Sequence, residues 1–179
     1  MLQITIPKTE MWNESTNEFI ETKSRVLALE HSLVSIAKWE SKWCEPFLTN
    51  KQKEPLEMLD YIKCMTLTQN VPDVVYNQFS NDNLNDINKY IEAPMTATTV
   101  RSLKSNGYRE QVTAELIYYW MIALHIPFEC QKWHLNRLLM LIKVCNIKNQ
   151  PPKKHSVNEL RARNASINAA RKKRWNTKG

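Results

Sequence analysis

Hydrophobic residues recur along most of this chain at the three- and four-residue spacings of amphipathic helices. The first such stripe runs through the segment from Thr22 to Trp43 and consists of Val26, Leu29, Leu33, Ile36 and Trp43. Proline cannot continue a helix, so Pro46 sets the latest possible end. The pattern predicts a long helix that begins near Thr22 and stops before Pro46.

Two more helices are predicted between residues 54 and 94. Glu54-Pro55 begins the first, because proline is tolerated at the first helical position, and Val71-Pro72 closes it. Its predicted buried face consists of Leu56, Leu59, Ile62 and Met65. After a short helical turn over residues 73–79, polar capping residues precede a second helix that ends before Pro94. Its apolar stripe consists of Leu84, Ile87 and Ile91.

The most apolar stretch of the chain lies within residues 110–125. Its sequence LIYYWMIAL is hydrophobic on every helical face, so we expect other elements to surround it at the centre of the core. Pro127 separates it from a further helix, which runs from Phe128 to about Asn146. The wide apolar stripe of that helix consists of Leu135, Leu138, Leu139, Ile142 and Cys145.

One strand is predicted, at Leu2–Ile6, where hydrophobic and polar residues alternate before Pro7 ends the run. The segment MTATTVRSLKSNGY, residues 95–108, fits a short hairpin or an irregular loop. The predicted fold class is therefore mainly α. We expect a compact helical domain with a minor N-terminal β-strand or hairpin and a basic C-terminal extension.

Charge divides the chain into two parts. Residues 148–179 hold ten Lys and Arg against one acidic residue, Glu159, a local net charge of +9. Residues 1–147 hold the other 15 basic and 17 acidic residues, which gives −2. We therefore predict a helical core domain over residues 1–147 and a basic, proline-hinged tail over residues 148–179. Such a tail offers a separate electrostatic contact to an acidic partner.

The tail carries its own helix signals. Ser156-Val157-Asn158-Glu159 matches the S-x-x-E capping box, and Leu160 and Ile167 form an apolar line too thin to make a core alone. Such a helix frays in solution or folds against a partner. The predicted contact residues of the tail are Leu160, Arg161, Arg163, Ile167, Arg171, Lys172, Lys173, Arg174 and Trp175.

Trp39 and Trp43 are candidate contact residues outside the tail, since tryptophan is enriched at binding hot spots. Trp39 lies off the main stripe and is expected to be the more exposed; anchoring the core is the other interpretation of both side chains. The basic tail has alternatives of its own: a solvated extension, nonspecific nucleic-acid binding through phosphates, or contact with an acidic protein. It is accompanied by no DNA- or RNA-reading motif.

The sequence carries no catalytic signature. It has two glycines and neither a G-x-S-x-G nor a Cys–His motif, so no catalytic residues and no cofactor are predicted. Cys130 and His134 are four residues apart but lack the second ligand pair of a zinc site, so no metal is predicted. The four cysteines are interpreted as buried free thiols in a reducing compartment. The longest apolar stretch is far short of the ~20 residues that cross a bilayer, so no membrane association is expected.

Three segments carry a resemblance to a known family: LEHSLVSIAKWESKWCEPFL, IYYWMIALHIPFECQKWHLNRLLMLIKVCNIKN and RNASINAARKKRWNTKG. They resemble small proteins encoded in the tail-gene modules of tailed bacteriophages and prophages, and the chain is similar to their tail assembly chaperones. The resemblance implies a non-enzymatic protein of the infected bacterial cytoplasm, which binds the long helical tape measure protein while the tail tube polymerises. It equally fits a structural virion component, such as a connector or minor tail protein, and leaves a homo-oligomer open.

Overall fold

A computed structural model describes residues 1–13, 18–49, 53–100, 111–150 and 156–176 of the chain. The chain divides into two compact units, Met1–Ile147 and Lys148–Gly179. The fold is mainly α-helical, with a small antiparallel β-ribbon at the N-terminal end. No helix within the described ranges is both long and apolar enough to cross a membrane.

The β-ribbon is built from two strand pairs that share one register. β1 (Leu2–Ile6) pairs antiparallel with β4 (Arg25–Leu29), and β2 (Thr9–Asn13) pairs with β3 (Glu18–Thr22). The strand predicted at Leu2–Ile6 is therefore confirmed. Its alternation places alternate hydrophobic residues on one face, where β1 and β4 contribute the buried side chains Ile4, Ile6, Leu27 and Leu29.

The helix predicted from Thr22 to Trp43 is wrong in its first half. Residues 25–29 form β4, and helix α1 covers Leu33–Trp43. The hydrophobic residues in RVLAL fit both the helical period of about 3.6 residues and the strand period of two. Backbone pairing with β1 stabilises the strand. Ser32 then caps α1, since its hydroxyl accepts a hydrogen bond from the Ser35 N–H. The predicted stop before Pro46 is confirmed.

Helices α2 (Pro55–Met65) and α4 (Asn81–Glu92) begin where the sequence predicts, and the short helix α3 (Asp73–Tyr76) lies between them. Both longer helices start with a capping box, in which the N-cap residue and the third helical residue exchange side-chain to backbone hydrogen bonds. In α2 the pair is Glu54 with Glu57. The N–H of the first helical residue has no acceptor within the helix, so proline, which lacks an N–H, loses no hydrogen bond at this position. The local sequence therefore sets this start.

The predicted buried face of α2 is right at Ile62 and Met65 and wrong at Leu56, which is 69% exposed. Tyr61 is buried there instead, because its hydroxyl has a partner inside the core. The stripe predicted for α4 is confirmed: Ile87 is buried, and the flanking Leu84 and Ile91 are half-buried against the core.

Helices α5 (Ala114–Ala123) and α6 (Leu135–Asn149) lie on either side of Pro127, and a short 3-10 helix covers Phe128–Lys132. The expectation that α5 is surrounded on every face is wrong, since Tyr119 is 63% exposed and Ile122 is 60% exposed. The inner face of α5 is narrow and consists of Ala114, Ile117 and Met121. The stripe predicted for α6 is confirmed, with Leu135, Leu138 and Ile142 buried.

The core of the first unit is centred on the ribbon, α1 and α2 rather than on α5. Most of the largest fully buried side chains come from these elements: Ile6, Leu27, Leu29, Leu33, Ile36, Trp39, Tyr61, Ile62 and Met65. The end of α2 and the residues that follow it also form backbone hydrogen bonds along the edge of β4 that β1 leaves free. The Glu30 N–H donates to the Met65 carbonyl at 2.9 Å, and the Leu67 N–H donates to the Ala28 carbonyl at 2.8 Å.

The second unit contains one long helix, α7 (Val157–Trp175). The capping box predicted at its start is present: Ser156 Oγ accepts from the Glu159 N–H at 3.1 Å, and Glu159 Oε2 accepts from the Ser156 N–H at 3.0 Å. Asn176 ends the helix in the left-handed conformation. Every described residue of this unit from position 156 to 176 is exposed.

The segment for which a hairpin or an irregular loop was predicted, residues 95–108, is only partly covered. Residues 95–100 form neither helix nor strand. Residues 101–110 lie outside the described residues, so the choice between the two predictions stays open.

Candidate partner-binding surfaces

Trp39 is a core residue, and the prediction that it is the more exposed tryptophan of α1 is wrong. Its side chain is 1% exposed, and its indole Nε1–H donates to the Glu57 carbonyl at 2.9 Å. The ring stacks on Trp43 at 6.0 Å between centroids and meets Phe47 edge-on at 5.2 Å. The inward face of α1 passes through positions 33, 36 and 39, so a stripe drawn directly from Ile36 to Trp43 skips its largest member.

Trp43 is the outer, half-buried member of this stack. Its indole N–H is buried, and no described residue accepts a hydrogen bond from it. An unsatisfied buried donor costs about 1–3 kcal/mol, so this N–H lowers the stability of the fold locally. Of the two tryptophans predicted as contacts, Trp43 is the one that the structure leaves accessible.

Helix α7 brings all the predicted contact residues of the tail onto one exposed element. The apolar ones are accessible, with Leu160 at 42%, Ile167 at 39% and Trp175 at 71% exposure. Leu160 and Ile167 are seven residues apart and share one side of the helix, as predicted. The cations of this helix are Arg161, Arg163, Arg171, Lys172, Lys173 and Arg174.

An apolar groove on the Met1–Ile147 unit was not foreseen from the sequence. We call it the α5–α6 groove, because these helices supply most of its lining, and its volume is about 330 Å³. The apolar lining consists of Leu48, Val112, Trp120, Leu139 and Ile142. Lys143 and Asn146 supply its polar side chains. A groove lined in this way suits hydrophobic side chains of another chain, with a few polar groups to fix their orientation.

A second apolar groove lies among α2, α3 and α4 and has a volume of about 350 Å³. We call it the α2–α4 groove. Leu56, which sequence analysis placed in the core, lines it together with Met58, Phe79 and Leu84. A sequence signal for both grooves exists in retrospect: α2 and α5 carry more apolar residues than one inward face can bury.

A polar cluster is buried within the first unit. The rings of His31 and His134 lie 5.1 Å apart, and His31 Nδ1 shares a hydrogen bond with the Tyr61 hydroxyl. Burial, and then the proximity of His134, lowers the pKa of His31 to about 3. Burial likewise raises the pKa of the Tyr61 hydroxyl well above its ordinary value. Both side chains are therefore uncharged at neutral pH.

His134 has both ring nitrogens engaged. Its Nε2–H donates to the Tyr90 carbonyl at 2.9 Å, and its Nδ1 accepts from the Asn136 N–H at 3.3 Å. This pair of contacts selects the neutral Nε2–H tautomer. His134 thus joins the end of α4 to the start of α6 and has no lone pair left for a metal. No group of three His, Cys, Asp or Glu side chains within the described ranges could hold a metal ion.

The Glu40 side chain joins α1 to two other parts of the chain. It is 8% exposed, and its two carboxylate oxygens accept from the N–H groups of Phe47 and Ala114, each at 2.7 Å. Ala114 is the first residue of α5, so the carboxylate satisfies a donor that the helix itself leaves open and favours the positive end of the helix dipole. Sequence analysis missed this role because it links residues 74 positions apart.

The four cysteines are free thiols, as predicted. The expectation that they are buried is wrong for Cys44, which follows α1 and is exposed. Burial raises the pKa of the Cys64 and Cys130 thiols, so both are protonated at neutral pH and are poor nucleophiles.

Comparison with protein-family models, with curated proteins and with solved structures finds no match for this chain. The surfaces of its described residues are therefore the basis for its function. These are the two apolar grooves of the first unit and the exposed basic helix of the second.

Proposed function

We propose that this protein is a non-enzymatic assembly factor, a tail assembly chaperone of the tailed-phage type, whose α5–α6 groove binds an amphipathic helix of the tape measure protein. One observation carries the proposal. Apart from Val112, every residue that lines this groove lies in the segments that resemble tail-module proteins. Two of those segments, residues 29–48 and 117–149, are far apart along the chain, yet both contribute to this one surface.

The chemistry of the groove supports a helical partner. An amphipathic helix presents apolar residues at three- and four-residue intervals, and grooves that bind such helices are apolar with a few polar groups. Trp120 provides a large aromatic contact of the kind found at binding hot spots. Lys143 is exposed and can pair with an acidic residue on the polar side of the partner.

Two grooves on one unit fit a transient binder better than a permanent one. Each groove alone is small, and a binder that has to be released needs contacts that are weak one by one. When one partner chain engages both grooves, the second contact forms intramolecularly and the combined affinity rises without any new surface. Losing one contact then permits release. This is what a chaperone needs if it works in the cytoplasm of the infected bacterium and leaves the partner to the growing tail.

The proposal is tested by co-expression with a tape measure protein of a tailed phage, followed by affinity capture of that protein. Leu139→Gln places an amide in the groove, whereas Ile122→Gln makes the same kind of change on the exposed side of α5. We expect the Ile122→Gln protein to bind like the unaltered chain and the Leu139→Gln protein to be captured about tenfold less. Circular dichroism checks that both variants stay folded.

Capture that is equal for both variants would show that the groove is not the binding site. Failure of the unaltered chain to bind the long helical protein would refute the chaperone function. Abundant copies of the chain in purified virions would instead identify a permanent component, such as a connector or minor tail protein.

A further inference from the structure

Cations surround the last turn of α7 instead of lining one face of it. Arg171, Lys172, Lys173 and Arg174 are consecutive, and successive residues of an α-helix are rotated by roughly 100°. The four side chains therefore point in four directions that together span the full circumference of the helix. We call these four residues the cationic ring. Arg161 and Arg163 lie two to three turns earlier, about 15 Å along the axis.

The remaining side chains of α7 do not oppose this charge. Its one acidic residue, Glu159, belongs to the capping box in the first turn, at the opposite end from the ring. Cations near the C-terminal end are favoured by the helix dipole, and the alanines at positions 162, 165, 169 and 170 favour helix. The ring therefore lies on a helix that is capped at both ends. Because the helix is already formed, binding a partner costs less conformational entropy.

The shape of the ring distinguishes between two kinds of acidic partner. An acidic protein helix packs along one stripe and leaves the cations on the far side in water. The major groove of B-form DNA is about 12 Å wide and an α-helix with its side chains is about 10–12 Å across, so phosphates of both strands flank an inserted helix. Only a partner with negative charge on two opposite walls uses the whole ring.

We infer that α7 binds double-stranded DNA by inserting its C-terminal turn into the major groove, where the cationic ring contacts backbone phosphates of both strands. The binding is independent of sequence, because phosphate contacts position a protein without reading bases. Trp175 follows the ring directly and is 71% exposed, so it can pack on the groove wall. B-form DNA is favoured over double-stranded RNA, whose major groove is too deep and narrow to admit a helix.

The test uses the full chain and fluorescence anisotropy with a labelled mixed-sequence DNA duplex of about 24 base pairs, long enough for a helix of this length. Each phosphate contact contributes about −0.9 to the slope of log K against log salt, and at 50 mM salt each is worth on the order of tenfold in affinity. Changing all four ring residues to Gln is expected to abolish detectable binding at 50 mM salt. Gln is close to Lys and Arg in helix propensity, so α7 should stay helical.

A matched control removes the same charge from the first unit. Lys23, Lys38, Lys89 and Lys132 are exposed, and changing them to Gln alters the net charge of the chain as much as the ring variant does. We expect this control to bind DNA within about threefold of the unaltered chain, since the inferred contact does not include these lysines. An equal loss in both variants would show that overall charge, not the ring, governs binding, and would overturn the inference.

Two half-ring variants test insertion itself. The pair Arg171→Gln with Lys172→Gln and the pair Lys173→Gln with Arg174→Gln remove cations from opposite sides of the helix. Contact with both groove walls predicts equal losses, each about 100-fold at 50 mM salt. A loss confined to one pair would mean one-sided contact, and tighter binding to poly-glutamate than to DNA would identify an acidic protein as the partner. Either result, or no DNA binding by the unaltered chain, refutes the inference.

This inference rests on α7 alone, and the proposed chaperone function rests on the α5–α6 groove. The ring variants should therefore leave capture of the helical partner unchanged. The Leu139→Gln variant should in turn bind DNA normally, so the failure of one proposal can be told apart from the failure of the other.

Discussion

The Met1–Ile147 unit and helix α7 use their polar side chains in opposite ways. In the first unit, Glu40, His31 and His134 are buried and bind groups from other elements of the same unit. In α7, every polar side chain is exposed and the charge is nearly all of one sign. The amount of charge in a region therefore says little about its function until the burial of that charge is known. Polar groups that are enclosed, whether charged or neutral, hold a fold together, and charge that is exposed on a helix is available to a partner.

The largest expected effect comes from comparing a buried tryptophan of the first unit with an exposed tryptophan of α7. Trp39→Ala removes a fully buried indole and its hydrogen bond to Glu57, so we expect a loss of about 3–5 kcal/mol in the free energy of unfolding. Trp175→Ala changes an exposed side chain and should stay within about 0.5 kcal/mol. Urea denaturation followed by circular dichroism measures both. Similar losses of unfolding free energy in the two variants would contradict this difference between the buried and the exposed tryptophan.

The next effect concerns the buried carboxylate. Glu40→Ala leaves two buried N–H donors, those of Phe47 and Ala114, without their acceptor, and should destabilise the protein by about 2–3 kcal/mol. Glu115 is exposed in the first turn of α5, so Glu115→Ala should change stability by only a few tenths of a kcal/mol, roughly its interaction with the helix dipole. Equal urea midpoints for the two variants would show that the Glu40 bonds add nothing.

A third prediction concerns pH. Folding lowers the pKa of His31 from 6.5 to about 3, so below pH 6.5 the unfolded chain binds the proton more readily than the folded one. The stabilisation from His31 is complete above about pH 6.5 and is lost as pH falls towards 3, with a slope of at most about 1.4 kcal/mol per pH unit. His31→Asn should flatten the dependence of unfolding free energy on pH between 6.5 and 4.5. An unchanged slope would contradict the prediction.

The smallest effect belongs to α7. Ser156→Ala removes the N-cap acceptor for the Glu159 N–H and should weaken this helix by about 1 kcal/mol. Hydrogen exchange of individual amides should show faster exchange in residues 157–175 and no change in α1 or α2. Faster exchange throughout the first unit would mean that the two units do not unfold separately.

Local signals in the sequence predicted several helix starts, whereas three of the four strands, the start of α1 and the start of α6 were missed. Glu54-Pro55, Ser80 and Ser156 set helix starts through bonds to residues only three positions away, which a short sequence window contains. The segment RVLAL became a strand because β1 pairs with it, and no window around residues 25–29 includes that partner. Sequence reasoning therefore failed where tertiary pairing overrode local periodicity.

Among the candidate contact residues, those that lie in one segment were likewise predicted and those that only the fold brings together were missed. The tail residues were found because charge and a capping box are visible in a single segment. The α5–α6 groove was missed because its lining comes from positions 48, 112, 120 and 139–146, which only the fold brings together. Trp39 was misplaced for a simpler reason, since the predicted stripe passed directly from Ile36 to Trp43 and skipped position 39, which lies one turn after Ile36 on the inward face.

The bond from the Leu135 N–H to the His31 carbonyl, 2.8 Å long, also sets an order of events during synthesis. A ribosome adds about 5–20 residues per second, so residue 31 waits roughly 5–20 s before residue 135 exists. Throughout that interval the inner surface of the β-ribbon and α1 lacks part of its covering. The newly made chain therefore passes through a period in which it is itself prone to aggregate, and it folds completely only when its last core helix is made.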